Sequence, residues 1–222
     1  MGFRTSAILV EPCYSGGGAE LLGAFGVQAR CTGSEALADA WHPAHLSVAT
    51  LGRCTLILDQ LLVDSVLQRA PAMEAALSTT FAQHHVLALQ IDENTRSWGW
   101  VLWVRGRRVR ARVGSERDGV LHEDGPQLPD ERRWPALLRP QGLRYVDESG
   151  RLHAPAAQAI ECARWLSERL LGAPLDRHPD VPATRVERYL ELGADSERTV
   201  GEPVMAMQRE ALPGWLRRLL ER

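Results

Sequence analysis

Apolar and polar positions fall into blocks along the chain, and the period of each block predicts an element. Residues 5–10 form a continuous apolar run closed by Glu-Pro, the pattern of a buried strand. Behind it, the glycine loop SGGGAELLGAF sets Leu21, Leu22 and Phe25 at helical spacing, with Gly26 placed to end the short helix. A weak strand over 27–31 leads to Ser34, which reads as the N-cap of a helix over 35–41 that Pro43 stops. Two strand-like runs, 45–51 and 54–59, flank Gly52-Arg53 and predict a hairpin.

Pro71 suits the first turn of a helix, and Met73, Ala76, Leu77, Thr80 and Phe81 mark one of its faces. An apolar strand follows over 85–91. The span 97–123 reads as an antiparallel meander: SWGWVLWV, a turn, RVRARV, a second polar turn, then VLHED. The segment 125–150 is rich in proline and charge and predicts a long loop with one short strand at 143–146. The longest helix spans 155–171. Ile160, Ala163, Leu166 and Leu170 line its inner face, Arg164 and Glu168 form an i,i+4 pair, and Gly172 with Pro174 ends it. A short helix over 183–192, a polar linker and a last helix from Pro213 complete the reading. The order of elements predicts an α+β fold. It is a single domain over 1–172, with a mixed β-sheet completed by the meander and flanked by helices. Residues 173–222 form a C-terminal extension with short helices.

Composition narrows the function classes. With 45% hydrophobic residues, 222 residues suffice for one sizeable core, and 26 basic against 28 acidic side chains exclude a polybasic nucleic-acid protein and a disordered polyelectrolyte. No stretch approaches the ~20 apolar residues of a membrane span. The best run, 56–67, is broken by Asp59, Gln60 and Asp64. The N-terminus leads straight into a strand pattern instead of a signal peptide, so the expectation is a soluble cytoplasmic protein. Every basic residue is arginine, a bias that GC-rich coding produces. Schiff-base chemistry and a phosphate loop with its lysine are therefore excluded. Cys13, Cys31, Cys54 and Cys162 lack CxxC spacing and read as buried thiols acting as small apolar residues.

Several residues are candidates for chemistry or contact. If Gly106-Arg107 is a two-residue turn, Trp100, Leu102, Val109 and Val113 share a core face. Trp103, Arg108, Arg110 and Arg112 then form an exposed arginine comb, a candidate interaction surface. Cys13 follows the first strand, where His42 or His45 could act as base and Glu11 or Asp59 as orienter. The loop Gly16, Gly17 and Gly18 could turn backbone amides towards an anion, although Glu20 opposes a phosphate there. The sets His42-x-x-His45, His84-His85 and His122-Glu123-Asp124 fall short of a metal site, and no cofactor is implied. Near the C-terminus, Leu212, Trp215, Leu216, Leu219 and Leu220 make an apolar stripe with Arg217, Arg218 and Arg222 outside it. Such a stripe must dock on its own domain, a second copy, another protein or a membrane surface.

The opening MGFRTSAILV, the run LGRCTLILDQLLVD, the meander SWGWVLWVRGRRVRARVGSERDGVLHEDG and the late helix resemble, in order and spacing, a family of uncharacterised bacterial proteins. Its members are common in high-GC actinobacteria. The resemblance covers roughly residues 1–172 and departs from the pattern at Gly16-Gly17-Gly18, at Asn94-Thr95-Arg96 and in the C-terminal extension. It implies a single α+β domain and carries over no catalytic residue. The expectation is a non-enzymatic protein that binds another macromolecule, either a protein partner or a second copy, with nucleic acid disfavoured. The alternative is a small-molecule enzyme or nucleotide or phosphate binder, with its site at the end of the first strand around Cys13 and Gly16–Gly18.

Overall fold

A computed structural model describes residues 4–41, 46–140 and 142–192. His42 and His45 lie outside these residues, as does the stripe with Trp215, Leu216 and Leu219. Twelve strands and four helices follow in the order β1 (Arg4–Glu11), α1 (Gly18–Ala24), β2 (Ala29–Ala36), β3 (Leu46–Leu51), β4 (Cys54–Leu58), α2 (Gln60–Leu67), α3 (Pro71–Thr79), β5 (His85–Asp92), β6 (Ser97–Val104), β7 (Arg107–Ser115), β8 (Gly119–Asp124), β9 (Ala136–Arg139), β10 (Gly142–Val146), β11 (Leu152–His153), α4 (Pro155–Leu171) and β12 (Arg185–Glu191). The fold is α+β. Nine strands form one sheet in the order β2-β12-β3-β4-β1-β5-β6-β7-β8, and β11-β10-β9 form a second, small sheet. Every pairing among the described strands is antiparallel, where the sequence suggested a mixed sheet.

Both faces of the large sheet are covered. Leu9, Leu56, Leu89, Trp98 and Trp100 pack under α4 with Ile160, Ala163, Leu166 and Leu170. Ile8, Ile57, Ala88, Val101 and Trp103 pack on the opposite side with residues of α1, α2 and α3. Burial on both faces explains why these strands read as unbroken apolar runs and not as alternating ones. Gly172 takes φ 91° directly after α4, the left-handed position that ends a helix without cost to a Cβ. Among the described residues no helix is long and apolar enough to cross a membrane.

Four readings of the sequence are corrected. Residues 34–36 continue β2 instead of starting a helix, because they pair with β12. Only a 3-10 turn at Leu37–Asp39 follows. Residues 185–191 are strand β12, inserted between β2 and β3, not a short helix; the spacing of Val186, Tyr189 and Leu190 is helical, but pairing with both neighbours overrides it, burying Val186 on one face of the sheet and Tyr189 on the other. The main sheet thus draws on residues beyond 172. Asp59 caps α2 by accepting the Leu62 amide at 2.8 Å, a helix that the apolar run 56–67 had hidden. The charged segment after Gly125 contains β9 and β10, not one short strand.

The largest correction is the meander's register. Its turn is Arg105-Gly106, both at positive φ as a type I′ turn demands, so Val104 pairs with Arg107. A bulge beyond Trp103 then sets Leu102 opposite Arg110 and Trp100 opposite Arg112. The arginines are therefore not exposed. The Arg110 and Arg112 side chains are each 2% exposed, Arg108 is buried beside Glu74 and Asp124, and Trp103 lies in the core. Arg110 makes a bidentate pair with Glu131, Nε to Oε2 at 2.9 Å and Nη2 to Oε1 at 2.7 Å. Arg112 donates to Gln158 on α4 at 2.7 Å and to the Tyr145 hydroxyl at 3.0 Å, with its guanidinium over the Trp98 ring.

Two stability predictions follow from these buried charges. Glu131→Gln weakens the bidentate pair with a fully buried partner and should cost about 3–5 kcal/mol, read as a lowered denaturant midpoint; an unchanged midpoint would show that the pair is dispensable. Asp64 is buried on α2 with one carboxylate oxygen unpartnered, and burial, reinforced by Asp59, pushes its pKa up to about 7. Folding therefore takes up a proton between about pH 4 and 7, and this group's contribution makes stability fall as pH rises through that window. Asp64→Asn should raise stability by a few kcal/mol at pH 8, and the gain should shrink towards pH 5.

Candidate functional site

A cleft of about 480 Å³ lies at the end of the sheet where α4 begins. Four segments build it. The β5–β6 turn supplies Glu93 and Arg96, held in shape by Asp92, whose carboxylate accepts the amides of Asn94 and Thr95. The β7–β8 turn supplies Glu116, paired with Arg96 at 2.5 Å. Trp134 and β11 form one wall, and the first turns of α4 form the floor. Ala156 and Ala157, being small, leave that floor open, and Leu152 and Ile160 add apolar surface.

The wall is rigid for an identifiable reason. His153 stacks on Trp134 with ring centroids 4.5 Å apart, and Trp134 meets Trp165 edge-on. The His153 Nε2 lies 2.7 Å from the Asp147 carboxylate. Asp147 also accepts from the Ser149 hydroxyl and the amides of Ser149 and Arg151, and these bonds hold its carboxyl well below the usual range. The imidazole is thereby fixed in orientation, with Nδ1 making no hydrogen bond among the described residues.

The rim is acidic in excess. Glu93, Glu116 and Glu161 face it against Arg96 and Arg164, and Arg164 is already shared by Glu93 at 2.5 Å, Asp176 at 3.2 Å and Glu161 at 3.3 Å. All five rim charges are paired with one another, and the excess of one carboxylate is what favours a cation over an anion there. Apolar walls below and carboxylates above suit a ligand that is apolar with a basic neighbour.

The residues singled out on sequence lie elsewhere. Cys13 sits past the end of β1, its Sγ 4.0 Å from the Gly52 carbonyl, while Asp59 stands at the opposite end of the same strand region beside Ser6. About seven residues of strand, roughly 20 Å, separate them. Glu11 does orient a histidine, but it is His85, with Nδ1 at 2.9 Å. The glycine loop leads into α1, and a Cβ at Gly18 would overlap the Tyr189 hydroxyl, so glycine there permits close packing. A second cleft of about 420 Å³ borders Gly16 and Gly18, with Thr50, Thr55, Arg185 and Glu187, but neither Cys13 nor a histidine lines it. Among the described residues no cluster of three or more His, Cys, Asp or Glu side chains could hold a metal ion.

A family model described as a family of unknown function, DUF6928, matches residues 19–157. The chain belongs to this family. The DUF6928 match takes in the whole of β2 through β11 and most of the cleft, and ends within the first turn of α4. No curated protein and no solved structure matches the chain.

One signal for the cleft is present in the sequence, the hairpin DESGRLH, in which Asp147 stands six residues before His153 across a tight turn. Burial also separates the thiols. Cys31 is exposed and Cys13 half-buried, whereas Cys54 is buried, with its pKa pushed up to about 12 chiefly by desolvation, and Cys162 is pushed higher still. Titration of the native protein with a thiol reagent near neutral pH should therefore modify Cys31 and Cys13 and spare the other two until unfolding. Fast labelling of Cys162 would show that the α4 core opens readily.

Proposed function

We propose that this chain is a binding protein, acting in the cytoplasm of its cell, whose cleft at the start of α4 receives a segment of a partner protein carrying a large apolar side chain beside a basic one. The observation that carries the reading is the cleft's composition: a fixed Trp134–His153 wall and an alanine floor under a rim with three carboxylates and two committed arginines. Exposed leucines on the adjoining small sheet, Leu138 and Leu152 foremost, extend the apolar surface beyond the cleft itself. One anchoring side chain contributes about 1.5–3 kcal/mol on burial. A short isolated peptide should accordingly bind weakly, with Kd on the order of 0.1–1 mM.

A second reading, small-molecule chemistry, is favoured by one observation, the Asp147–His153 pair with its free Nδ1 at the cleft wall. That pair could accept a proton from a ligand bound against Trp134.

The test uses a fluorescein-labelled peptide, Arg-Leu-Trp-Arg-Gly, titrated into the full chain and followed by anisotropy. Binding should weaken at least tenfold in Ala157→Arg, which fills the floor and adds a cation. It should also weaken with added salt, as attraction to the carboxylate rim is screened. No binding at millimolar peptide, or binding indifferent to Ala157→Arg, would sink the partner-segment reading.

A further inference from the structure

The large sheet ends at β2, an eight-residue strand that pairs with β12 on one side and with no described strand on the other. Arg30, Cys31, Thr32, Gly33 and Ser34 are all exposed. Edge strands are usually guarded by lysine, proline, a bulge or an inward-pointing charge; the middle of this one, Cys-Thr-Gly-Ser, has no lysine or proline, and Arg185 of β12 reaches over to donate to the Ser34 hydroxyl and carbonyl at 2.9 Å. The strand does carry a bulge: Cys31 pairs with Tyr189 and Gly33 with Arg188, so Thr32 is an extra residue.

That bulge has a consequence for charge. In a regular strand Arg30 and Glu35, five positions apart, would point to opposite faces. Here Arg30 pairs with Leu190 and Glu35 with Val186, which lie on one face of β12 because they are an even number of residues apart. Arg30 and Glu35 therefore stand on the same face of the sheet, at the two ends of the edge. Arg30 makes no ion pair among the described residues, and Glu35 leans on Arg188 at 3.5 Å.

We propose that β2 is a homodimer interface, formed when the edges of two copies pair antiparallel about a two-fold axis between Thr32 and Gly33. In that register Arg30 meets Glu35 of the second copy, and Glu35 meets its Arg30. Cys31 lies across from Ser34, and Ala29 across from Ala36. Every opposed pair shares a face, which cross-strand pairing requires and which the bulge alone makes compatible with the charges. The interaction is isologous, so it closes at two copies and does not propagate. One strand pair buries less than a standard interface, so the dimer is weak, with Kd on the order of 10–100 µM. This inference is independent of the cleft.

The test is sedimentation of the full chain from about 5 to 500 µM, bracketing that range. The wild type should shift from monomer to dimer. Arg30→Glu, which sets Glu against Glu twice, should weaken the dimer about tenfold or more while leaving the thermal melt of the monomer unchanged. Register is read by Ser34→Cys: mild oxidation should link Cys31 of one copy to the new thiol of the other, since opposed residues in an antiparallel pair lie within disulfide reach. Within one chain the bulge sets residues 31 and 34 opposite Tyr189 and Glu187, roughly 7 Å apart on one face, so the link between copies is scored as a covalent dimer under denaturing, non-reducing conditions. A monomer at every concentration overturns the proposal. So does a dimer that Arg30→Glu leaves intact, or a Cys31–Cys31 linkage in the wild type, which would place the axis elsewhere.

Discussion

The bidentate pair between Arg110 and Glu131 fixes how the second half of the chain closes over the sheet. Where β7 runs under the start of α4 and the segment 125–153, the face of the sheet offers the guanidinium groups of Arg110 and Arg112 where a core would offer leucines. Glu131 answers both Arg110, at 2.7 and 2.9 Å, and the Leu128 amide, at 2.7 Å, so one carboxylate turns the loop and attaches it to the sheet. Gln158 then links Arg112 to α4 and donates back to the Glu131 carbonyl. Breaking such a network is costly, yet an apolar replacement of equal volume would often be as stable. What the charges add is geometry. A guanidinium fork accepts one orientation of its partner, and that orientation sets the small sheet, Tyr145 and hence the Trp134–His153 wall.

The same pair shows where the sequence stopped being legible. Helix α4 was readable to the residue at both ends, because proline, a four-residue apolar stripe and a following glycine agree. Strands β1 and β5 were readable because four consecutive apolar residues in each, 7–10 and 86–89, leave little alternative. The meander's existence was readable too, but its register was not. Shifting the turn by one residue and adding one bulge turns Arg110 and Arg112 from solvent to core, and neither event leaves a mark in the hydrophobic pattern. Arginine counted as polar there, although a paired guanidinium with a long aliphatic stem is a buried residue when its partner arrives from sequence positions far away.

Non-local pairing explains the other misreadings. Val186, Tyr189 and Leu190 suit a helix in isolation, and Ser34-Glu35 suit a helix start. Each segment is a strand because the other is: β12 fills the gap between β2 and β3, and β2 has no other strand neighbour among the described residues. The cleft is of the same kind. Residues 152–164 supply its floor and part of one wall, but Glu93, Arg96, Glu116 and Trp134 come from distant turns and loops, and that window read alone is the start of an ordinary helix.

The span of the family match has a structural meaning that follows from strand order. Residues 19–157 include β4 and β5 but not β1, which pairs with both of them at the centre of the sheet. They include the strands beneath α4 but little of α4 itself, whose Ile160, Ala163, Leu166 and Leu170 cover Trp98 and Trp100. A chain cut to the matched residues would expose both edges of a split sheet and the apolar face of its centre. The unit that folds is therefore larger than the unit that is recognisable. Arg110, Arg112 and Glu131 fall inside the match, while Gln158, Glu161 and Arg164 fall just outside it. The cleft is consequently completed by residues beyond the matched span, and differences in charge there would alter what it binds without disturbing the arginine network that holds its wall.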